Sequence, residues 1–337
     1  MSEIIKKDCL NILKNVDISS LKNKKVLITG ASGLIGIYIV YCLKLANLDC
    51  DIDCWVNNDI DPIYNKIFEK CNIIKGDITS EQVFSSFCNN VQYDLIVHCA
   101  GYGQPNKFLS DKIKTITINT TVTNKLLQLV KNDGSFAFFS TSEIYNGNNN
   151  NCVSEDDFGF TTPLHPRASY IEGKRCGETI CDVYSQQNQN INMKILRLSL
   201  AYGPGTKRND QRVLNSLIEK GLFNETINLL DDGSSLRTYG YISDIIEMFW
   251  NILLHGKHKV YNLSGISQTS ILELANMIGN LLNKKVVKSE NNNMIGSPKN
   301  VNISLNRYFD EFEKKQFISL NEGIINTIEW QRKIYDK

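Results

Sequence analysis

A glycine-rich turn that directly follows an apolar run is the feature that most constrains the fold of this chain. The run is Lys25-Val26-Leu27-Ile28-Thr29, and the turn is Gly30-Ala31-Ser32-Gly33-Leu34-Ile35-Gly36. The first glycine permits a tight turn, the second lets backbone N–H groups approach a pyrophosphate, and the third allows a helix to pack closely on a strand. The start of that helix adds a partial positive charge. The junction therefore predicts a dinucleotide-binding turn, with a purely structural glycine turn as the alternative interpretation.

Apolar segments that alternate with helical stretches continue along the chain after the turn. The predicted strands lie at 51–56, 71–77, 94–99, 135–140 and 192–198. Short, nearly continuous apolar runs are typical of parallel strands that helices cover on both faces. The sequence therefore predicts an α/β fold of the Rossmann type, a doubly wound parallel sheet with ligands beyond the carboxyl ends of its strands.

The pattern divides the chain into three predicted parts. Residues 1–24 carry apolar residues at mostly helical spacing and predict an N-terminal helical extension. Residues 25–203 form the predicted dinucleotide-binding domain. Residues 204–337 are less regular, with helices predicted at 211–221 and 271–282 and strands near 226–230 and 259–263. We expect this last part to be mainly a smaller lobe that covers the substrate, with some return to the main domain.

Composition argues against several classes of function. The 337 residues include 37 basic and 36 acidic ones, and the formal net charge of +1 gives no global field that would attract nucleic acid or a membrane surface. No apolar stretch reaches the roughly 18–20 residues that span a bilayer, and the first residues lack the apolar core of a signal peptide. We therefore expect a cytoplasmic protein. The ten cysteines are scattered, which favours reduced thiols, and Cys50 and Cys54 lack a second ligand pair, so no metal site is predicted.

Polar side chains that follow the second and third predicted strands indicate which dinucleotide binds. Asn57 follows the second strand, where polar side chains can bond ribose hydroxyls and no Arg or Lys is placed to receive a 2′-phosphate. Asp77 follows the third strand, where its carboxylate can accept a hydrogen bond from an adenine amino group or, alternatively, cap a helix. These positions favour NAD over NADP.

Tyr170 and Lys174 stand four residues apart, which places both on one face of a predicted helix. A phenol near its unperturbed pKa of about 10 is a poor base at neutral pH, but a nearby ammonium and an oxidised nicotinamide both favour the phenolate. The segment Ser140-Thr141-Ser142-Glu143 follows a predicted strand and lies at the same rim. A hydroxyl there can share a substrate proton with Tyr170. Glu143 adds a carboxylate for a later proton transfer, or caps a surface helix instead.

Several further motifs extend the match to a known family. They are His98-Cys99-Ala100 with Pro105, Ile113-Lys114-Thr115 with Asn119, Ser140-Thr141-Ser142-Glu143-Ile144-Tyr145, Pro166-Arg167-Ala168-Ser169-Tyr170, Glu172-Gly173-Lys174-Arg175, Tyr202-Gly203-Pro204, Asn209-Asp210-Gln211-Arg212-Val213 and Arg237-Thr238-Tyr239-Gly240-Tyr241-Ile242-Ser243-Asp244. Over most of its length the chain resembles the extended short-chain dehydrogenase/reductase superfamily, in the NAD-dependent epimerase/dehydratase group that acts on nucleotide sugars. Within that group it is most similar to UDP-glucuronate decarboxylases.

The resemblance implies a tightly held NAD+ that takes a hydride from sugar C4, leaves a 4-keto intermediate and usually returns the hydride before release. A ketone β to a carboxylate accepts the electrons of departing CO2, and the same ketone acidifies C5–H for dehydration or epimerisation. By this resemblance Tyr170 is the base, Lys174 lowers its pKa and holds the nicotinamide ribose, and Thr141 hydrogen-bonds the 4-oxygen. Ser142 and Glu143 are expected to act in the later step.

The motifs and the resemblance together assign the binding residues. Candidates for the cofactor are Gly30, Ser32, Gly33, Leu34, Ile35, Gly36, Asn57, Asp77, Ile78, Ala100, Gly101, Asn119, Ser140, Tyr170 and Lys174. Candidates for a nucleotide-sugar substrate are Pro105, Arg167, Leu200, Arg212 and Arg237. Apolar stripes in 120–130 and 175–184 imply a homodimer interface, although core packing explains the same stripes.

Three departures from the family pattern leave the reaction open. Leu200 stands where the family commonly has a substrate-facing Asn, and Gln211 and Asn146 each replace a glycine. Decarboxylation of a UDP-hexuronate is the leading hypothesis, and nucleotide-sugar 4,6-dehydration and C4 or C5 epimerisation are the alternatives. A non-catalytic NAD-binding sensor or scaffold, and an oxidoreductase that releases NADH, are further alternatives, since a fold alone does not establish a function.

Overall fold

A seven-stranded sheet forms the centre of the molecule. The computed structural model describes residues 3–88, 91–289, 298 and 300–336. Its strands are β1 (Lys25–Thr29), β2 (Asp51–Val56), β3 (Asn72–Lys75), β4 (Tyr93–His98), β5 (Val130–Thr141), β6 (Asn192–Leu198), β7 (Leu200–Tyr202), β8 (Thr226–Asn228), β9 (Leu236–Tyr241), β10 (Val260–Leu263), β11 (Ser267–Ser270), β12 (Lys285–Val287) and β13 (Asn300–Val301). Its helices are α1 (Glu3–Asn15), α2 (Leu34–Leu45), α3 (Asn65–Phe68), α4 (Glu81–Cys88), α5 (Pro105–Ser110), α6 (Lys112–Thr117), α7 (Thr123–Leu127), α8 (Ala168–Gln187), α9 (Val213–Phe223), α10 (Ile242–His255), α11 (Ile271–Leu282), α12 (Asn306–Phe309) and α13 (Leu320–Tyr335). Single turns of 3₁₀ helix lie at Ser19–Leu21, Pro62–Tyr64 and Ser142–Tyr145, and a π-helical turn lies at Ile118–Val122.

The order of the strands in the central sheet is β10-β6-β5-β4-β1-β2-β3, and every neighbouring pair is parallel. This arrangement confirms the predicted doubly wound α/β fold. Val26 and Ile28 belong to one apolar cluster and Leu27 to another, as side chains that alternate between two covered faces must. The chain order reverses between β1 and β4, and a sheet of this kind binds its ligands in the crevice at that point.

Smaller sheets stand beside the carboxyl edge of the central one. Strand β9 lies between β11 and β13 and also pairs with β7, while β8 pairs with β12. Strand β10 pairs with β6 in the central sheet. The boundaries at residues 24 and 203 stay a prediction. None of the helices in the described part of the chain combines the length and the apolar content needed to span a bilayer.

The first helix is fastened to the rest of the molecule through a buried carboxylate. α1 packs on α2 and α10. Asp8 accepts hydrogen bonds from the hydroxyl of Tyr38 at 2.8 Å and from that of Tyr241 at 3.0 Å. Burial raises the pKa of Asp8 to about 6, and the bonds from the two phenols oppose that shift. The Tyr241 hydroxyl is therefore a structural group that joins β9 to α1.

Candidate active site

The glycine turn lies in close contact with neighbouring backbone, and a side chain at Gly30 or Gly36 would prevent that contact. Gly30 has a φ of +67°, and a Cβ at this position would lie 2.8 Å from the Ala100 nitrogen. A Cβ at Gly36 would lie 2.6 Å from the Cα of Ala31, so α2 can pack on the turn only without one. Gly33 occupies the N-cap of α2 and brings no capping side chain. The first N–H groups of α2 thus face the crevice, where an anion would complete them.

Two clefts open at the carboxyl edge of the sheet and meet at Tyr170. The first has a volume of about 360 Å³ and the second of about 240 Å³. The predicted residues that line the first are Gly30, Ser32, Gly33, Leu34, Ile35, Gly36, Asn57, Asp77, Ile78, Ala100, Gly101, Ser140, Tyr170, Lys174 and Arg212. Those that line the second are Leu34, Ile35, Pro105, Ser140, Thr141, Ser142, Glu143, Arg167, Tyr170, Leu200, Arg212 and Arg237. The predicted residues that line both are Leu34, Ile35, Ser140, Tyr170 and Arg212, so ligands in the two clefts would meet at these side chains.

One predicted cofactor residue lies elsewhere. Asn119 is fully buried in the π-helical turn, and its Nδ2 donates to the Thr115 carbonyl at 2.8 Å. It is not among the described residues that line either cleft. A Cβ at Gly173 would lie 3.6 Å from the Asn119 Nδ2, so the amide packs against α8 instead.

The far end of the first cleft carries an ion pair between Asp77 and Lys114. Lys114 Nζ lies 2.6 Å from Asp77 Oδ2, and Asp77 Oδ1 accepts from the nitrogen and the hydroxyl of Thr79. Burial raises the pKa of the Asp77 carboxyl, but the bonds from Lys114 and Thr79 outweigh it and hold the pKa below its ordinary value. The Ser80 hydroxyl caps α4 instead, accepting from the Val83 nitrogen at 3.4 Å. Asp77 is therefore an ionised acceptor at the cleft.

Tyr170 and Lys174 lie on α8, and burial shifts both of their pKa values. Burial raises the pKa of Tyr170 to about 12, although a hydrogen bond with Thr141 and the charges of Arg167 and Arg212 lower it. A lowering of this pKa by Lys174 and the nicotinamide stays a prediction. Burial also lowers the pKa of Lys174 to about 8, and its Nζ donates to the Phe139 carbonyl at 2.6 Å. At neutral pH the phenol holds its proton and the ammonium stays charged.

Glu143, the acidic side chain of the second cleft, forms a salt bridge with Arg167. Arg167 Nε donates to Glu143 Oε2 at 2.9 Å, and a second guanidinium nitrogen donates to the other carboxylate oxygen. Both side chains are largely buried. Thr141, rather than Glu143, caps the 3₁₀ turn, because its hydroxyl accepts from the Glu143 nitrogen at 3.2 Å. The Glu143 carboxylate is therefore a cleft group and not a helix cap.

Aromatic and cationic side chains that the sequence analysis did not single out complete the clefts. The ring of Phe108 stacks on that of Tyr170 at 4.6 Å, and the Arg167 guanidinium lies 4.8 Å from the Phe108 ring. Lys207 Nζ donates to the Ser32 hydroxyl at 3.2 Å and so brings a positive charge to the glycine turn. The one available sequence signal for Phe108 is its position three residues after Pro105, which belongs to a family motif. Lys207 follows Tyr202-Gly203-Pro204 in a stretch without periodicity, so no pattern predicted it. Other unpredicted lining residues are Trp55, Tyr102, Gln104, Lys107, Lys114, Thr206, Ser199 and Tyr239.

Residues 26–264 match the model of a protein family described as the NAD dependent epimerase/dehydratase family. The chain belongs to this family. The predicted family is thereby confirmed, and NAD is the cofactor, as predicted. The residues of the first cleft fit that group, since the glycine cradle and the uncapped start of α2 suit its pyrophosphate and Asp77 offers an ionised acceptor.

Individual relatives and solved structures agree with this assignment. UDP-glucuronic acid decarboxylase 1 of Danio rerio is 27% identical over 278 residues, which cover 79% of this chain and 62% of that protein. The epimerase Mth375 of Methanothermobacter thermautotrophicus superposes with a TM-score of 0.82 at 18% identity, over 99% of this chain and 97% of the other. UDP-glucuronic acid 4-epimerase of Bacillus cereus, in complex with UDP-glucuronic acid and NAD, superposes with a TM-score of 0.75 at 24% identity, over 92% of this chain and 100% of the other. The two structures share the fold of this chain.

Replacing Gly30 with Ala is expected to weaken NAD binding by about tenfold or more, because the new Cβ meets the Ala100 backbone and the φ of +67° becomes strained. Calorimetric titration of cofactor-free protein with NAD measures the effect. Gly173→Ala is the matched control, since its Cβ would make an ordinary contact of 3.5 Å with the Ile116 Cα. An unchanged affinity in a folded Gly30→Ala protein would show that the turn does not hold the cofactor.

Proposed function

We propose that this protein oxidises C4 of a bound nucleotide sugar, and that the substrate is a UDP-hexuronate which then loses CO2. The observation that carries the proposal is the charge of the second cleft. Arg167, Arg212 and Arg237 line it, and Glu143 is the one carboxylate among its described lining residues. Arg167 pairs with Glu143, and Arg212 pairs with Asp210 of the first cleft, so the lining holds one more positive charge than these carboxylates neutralise. Guanidinium groups bind phosphate and carboxylate oxygens through charge-assisted hydrogen bonds. Such a cleft favours a ligand with a diphosphate and a further anionic group.

The residues where the clefts meet suit proton removal from a sugar hydroxyl. In this proposal Tyr170 takes the proton of the 4-hydroxyl; in support, the Thr141 hydroxyl is hydrogen-bonded to the phenol. When bound, NAD would supply the acceptor for the C4 hydride and, once CO2 has left, would give the same hydride back to C4. Lys174 lies four residues after Tyr170 on α8 and keeps a positive charge near neutral pH. Its ammonium donates a hydrogen bond to the Phe139 carbonyl of β5. A positive charge near a phenol favours the phenolate that this role requires.

Decarboxylation follows from the position of the new ketone. The C4 ketone is β to the C6 carboxylate, so the electron pair of the C5–C6 bond passes to the ketone oxygen as CO2 leaves, and C5 then takes up a proton. A hydrogen-bond donor such as Thr141 stabilises the negative charge on that oxygen.

The Glu143–Arg167 pair helps to choose between reactions. A group that protonates a departing hydroxyl must carry a proton, whereas a carboxylate that accepts two bonds from a guanidinium acts as an acceptor. This favours decarboxylation, which has no departing hydroxyl. Nucleotide-sugar 4,6-dehydration or C4 or C5 epimerisation is the second candidate, since the Glu143 carboxylate lines the same cleft.

The decisive experiment is mass spectrometry of products after incubation, without added cofactor, with UDP-glucuronate and with neutral UDP-, GDP-, CDP- and dTDP-sugars. We expect loss of CO2 from UDP-glucuronate, no accumulation of free NADH, and no turnover by Tyr170→Phe with its NAD still bound. Loss of water from a neutral sugar, or an isomer of unchanged mass, would contradict decarboxylation. Steady release of NADH would indicate an oxidoreductase that exchanges its cofactor with solvent. A wild-type protein that converts none of these sugars would indicate a non-catalytic NAD-binding protein.

Replacing Glu143 with Gln is expected to lower kcat by about tenfold or more while NAD affinity stays unchanged, because the amide cannot accept both bonds from Arg167. Steady-state kinetics and NAD titration separate the two effects. Glu172→Gln is the control, since Glu172 forms a similar pair with Arg175 at 2.8 Å but lines neither cleft among the described residues. Equal kcat values for both variants would exclude Glu143 from the reaction.

We also propose that a second copy of this chain covers the outer face of α6 and α8. Ile113 of α6 is 76% exposed, and Ile116 and Val183 on the same two helices are also exposed. Apolar residues clustered on a surface indicate an interaction site. Light scattering after gel filtration should give the mass of a dimer, and Ile113→Glu should give a monomer. A monomeric wild type at micromolar concentration would rule the interface out.

A further inference from the structure

Tyr239 presents a buried hydroxyl to the second cleft. Its side chain lines that cleft and is only 4% exposed, and its hydroxyl has no hydrogen-bond partner among the residues that the structure describes. An unsatisfied buried hydroxyl is costly, so a folded protein that keeps one needs a reason to do so. Burial raises the pKa of the Tyr239 phenol, so the group retains its proton and is a hydrogen-bond donor at neutral pH.

The strand register pairs Tyr239 with Leu200, one of the residues at which the chain departs from the family pattern. Tyr239 on β9 is the direct parallel partner of Leu200 on β7. Residues opposite each other on adjacent strands share a face of the sheet, and both of these line the second cleft. The resemblance to nucleotide-sugar enzymes implies a substrate-facing Asn at the position of Leu200. An amide donor is therefore missing from one strand, and a phenolic donor lies on its neighbour.

Arg237 indicates which part of a substrate the phenol would meet. It stands two residues before Tyr239 on β9, so the two side chains project from the same face, and Arg237 also lines the second cleft. Its charge lies close enough to oppose the rise in the pKa of Tyr239. A neutral donor beside a guanidinium suits a shared, negatively charged acceptor.

We infer that the Tyr239 hydroxyl binds the substrate by donating a hydrogen bond to a phosphate oxygen of its nucleoside diphosphate, in place of the Asn that Leu200 replaces. Tyr239 is thus a specificity-determining residue of this chain. The inference rests on the proposed nucleotide-sugar function, but it does not depend on which reaction follows oxidation at C4.

The test is calorimetric titration of wild type and Tyr239→Phe, both loaded with NAD, with UDP-glucuronate, UDP and UMP, and with GDP, CDP and dTDP in case the base differs. We expect Tyr239→Phe to lose about tenfold or more in affinity for the nucleoside diphosphate that wild type binds and for its sugar. Binding of the monophosphate should change much less. A loss confined to the nucleotide sugar would place the bond on the sugar and overturn the inference. An unchanged affinity, or a wild type that binds none of these diphosphates, would overturn it too.

Two further readouts separate ligand binding from a structural role. Because the hydroxyl has no partner among the described residues, Tyr239→Phe should melt at or above the temperature of wild type. Tyr241→Phe is the matched control on the same strand, since its hydroxyl holds Asp8 and its loss should lower the melting temperature with no change in nucleotide affinity. Tyr239→Phe melting well below wild type would show a structural hydroxyl and contradict the inference.

A double variant tests the exchange of donors between the strands. Adding Leu200→Asn to Tyr239→Phe returns the family's amide beside the missing phenol, so we expect affinity for the diphosphate to recover at least in part. No recovery in a folded double variant would overturn the claim that the two positions serve one ligand. Because all of these readouts are binding and melting measurements, they hold even if UDP-glucuronate is bound but not decarboxylated. That result would refute the proposed reaction alone.

Discussion

The chemistry of this protein depends on how closely β1 and β4 approach each other at their carboxyl ends. Thr29 Oγ1 lies 2.7 Å from His98 Nδ1 and accepts from the Ala100 nitrogen at 3.2 Å, so side chains as well as the strand ladder join the two ends. Burial and the charge of Lys174 lower the pKa of His98 to about 3, which keeps the ring neutral in this contact. Gly30 then lets the chain turn directly over the Ala100 backbone. These contacts between the ends of β1 and β4 position Gly30 and Ala100, which line the first cleft.

Burial also changes the pKa values of two side chains at the clefts. Tyr170 and Lys174 are both more than nine-tenths buried, and burial favours the neutral form of each: it raises the pKa of Tyr170 to about 12 and lowers that of Lys174 to about 8. The protein therefore holds a protonated phenol beside a cation that is close to losing its charge. A positive charge bound next to Tyr170 lowers the pKa of the phenol. A cationic ligand in the first cleft would therefore lower the pKa of Tyr170, because this side chain lines both clefts.

How far the sequence predicts this site depends on whether the signal is local. The glycine turn and the Tyr170/Lys174 spacing are local patterns, and the structure places both at the crevice. Asn119 belongs to a local motif too, but the π-helical turn directs it against α8. The contacts of Asp77 with Lys114, and of Lys207 with the glycine turn, join residues far apart in the chain. No spacing rule could have predicted them, because they arise only when separate helices and loops meet at the same edge of the sheet.

The strand ladders fix the relative positions of Thr141 and of residues 200 and 239 in the second cleft. Thr141 on β5 is the ladder partner of Leu198 on β6, and Leu200, two residues on, is the partner of Tyr239. The intervening Ser199 donates from its nitrogen to the Leu263 carbonyl at 2.8 Å and from its hydroxyl to the Thr238 carbonyl at 2.9 Å. Backbone ladders rather than loops thus set the separation between Thr141 and the side chains at 200 and 239. Since a slip by one residue would turn every side chain to the opposite face, this register is strongly constrained. Substitutions at 200 and 239 therefore change side chains of the second cleft without changing the strand register that positions Thr141.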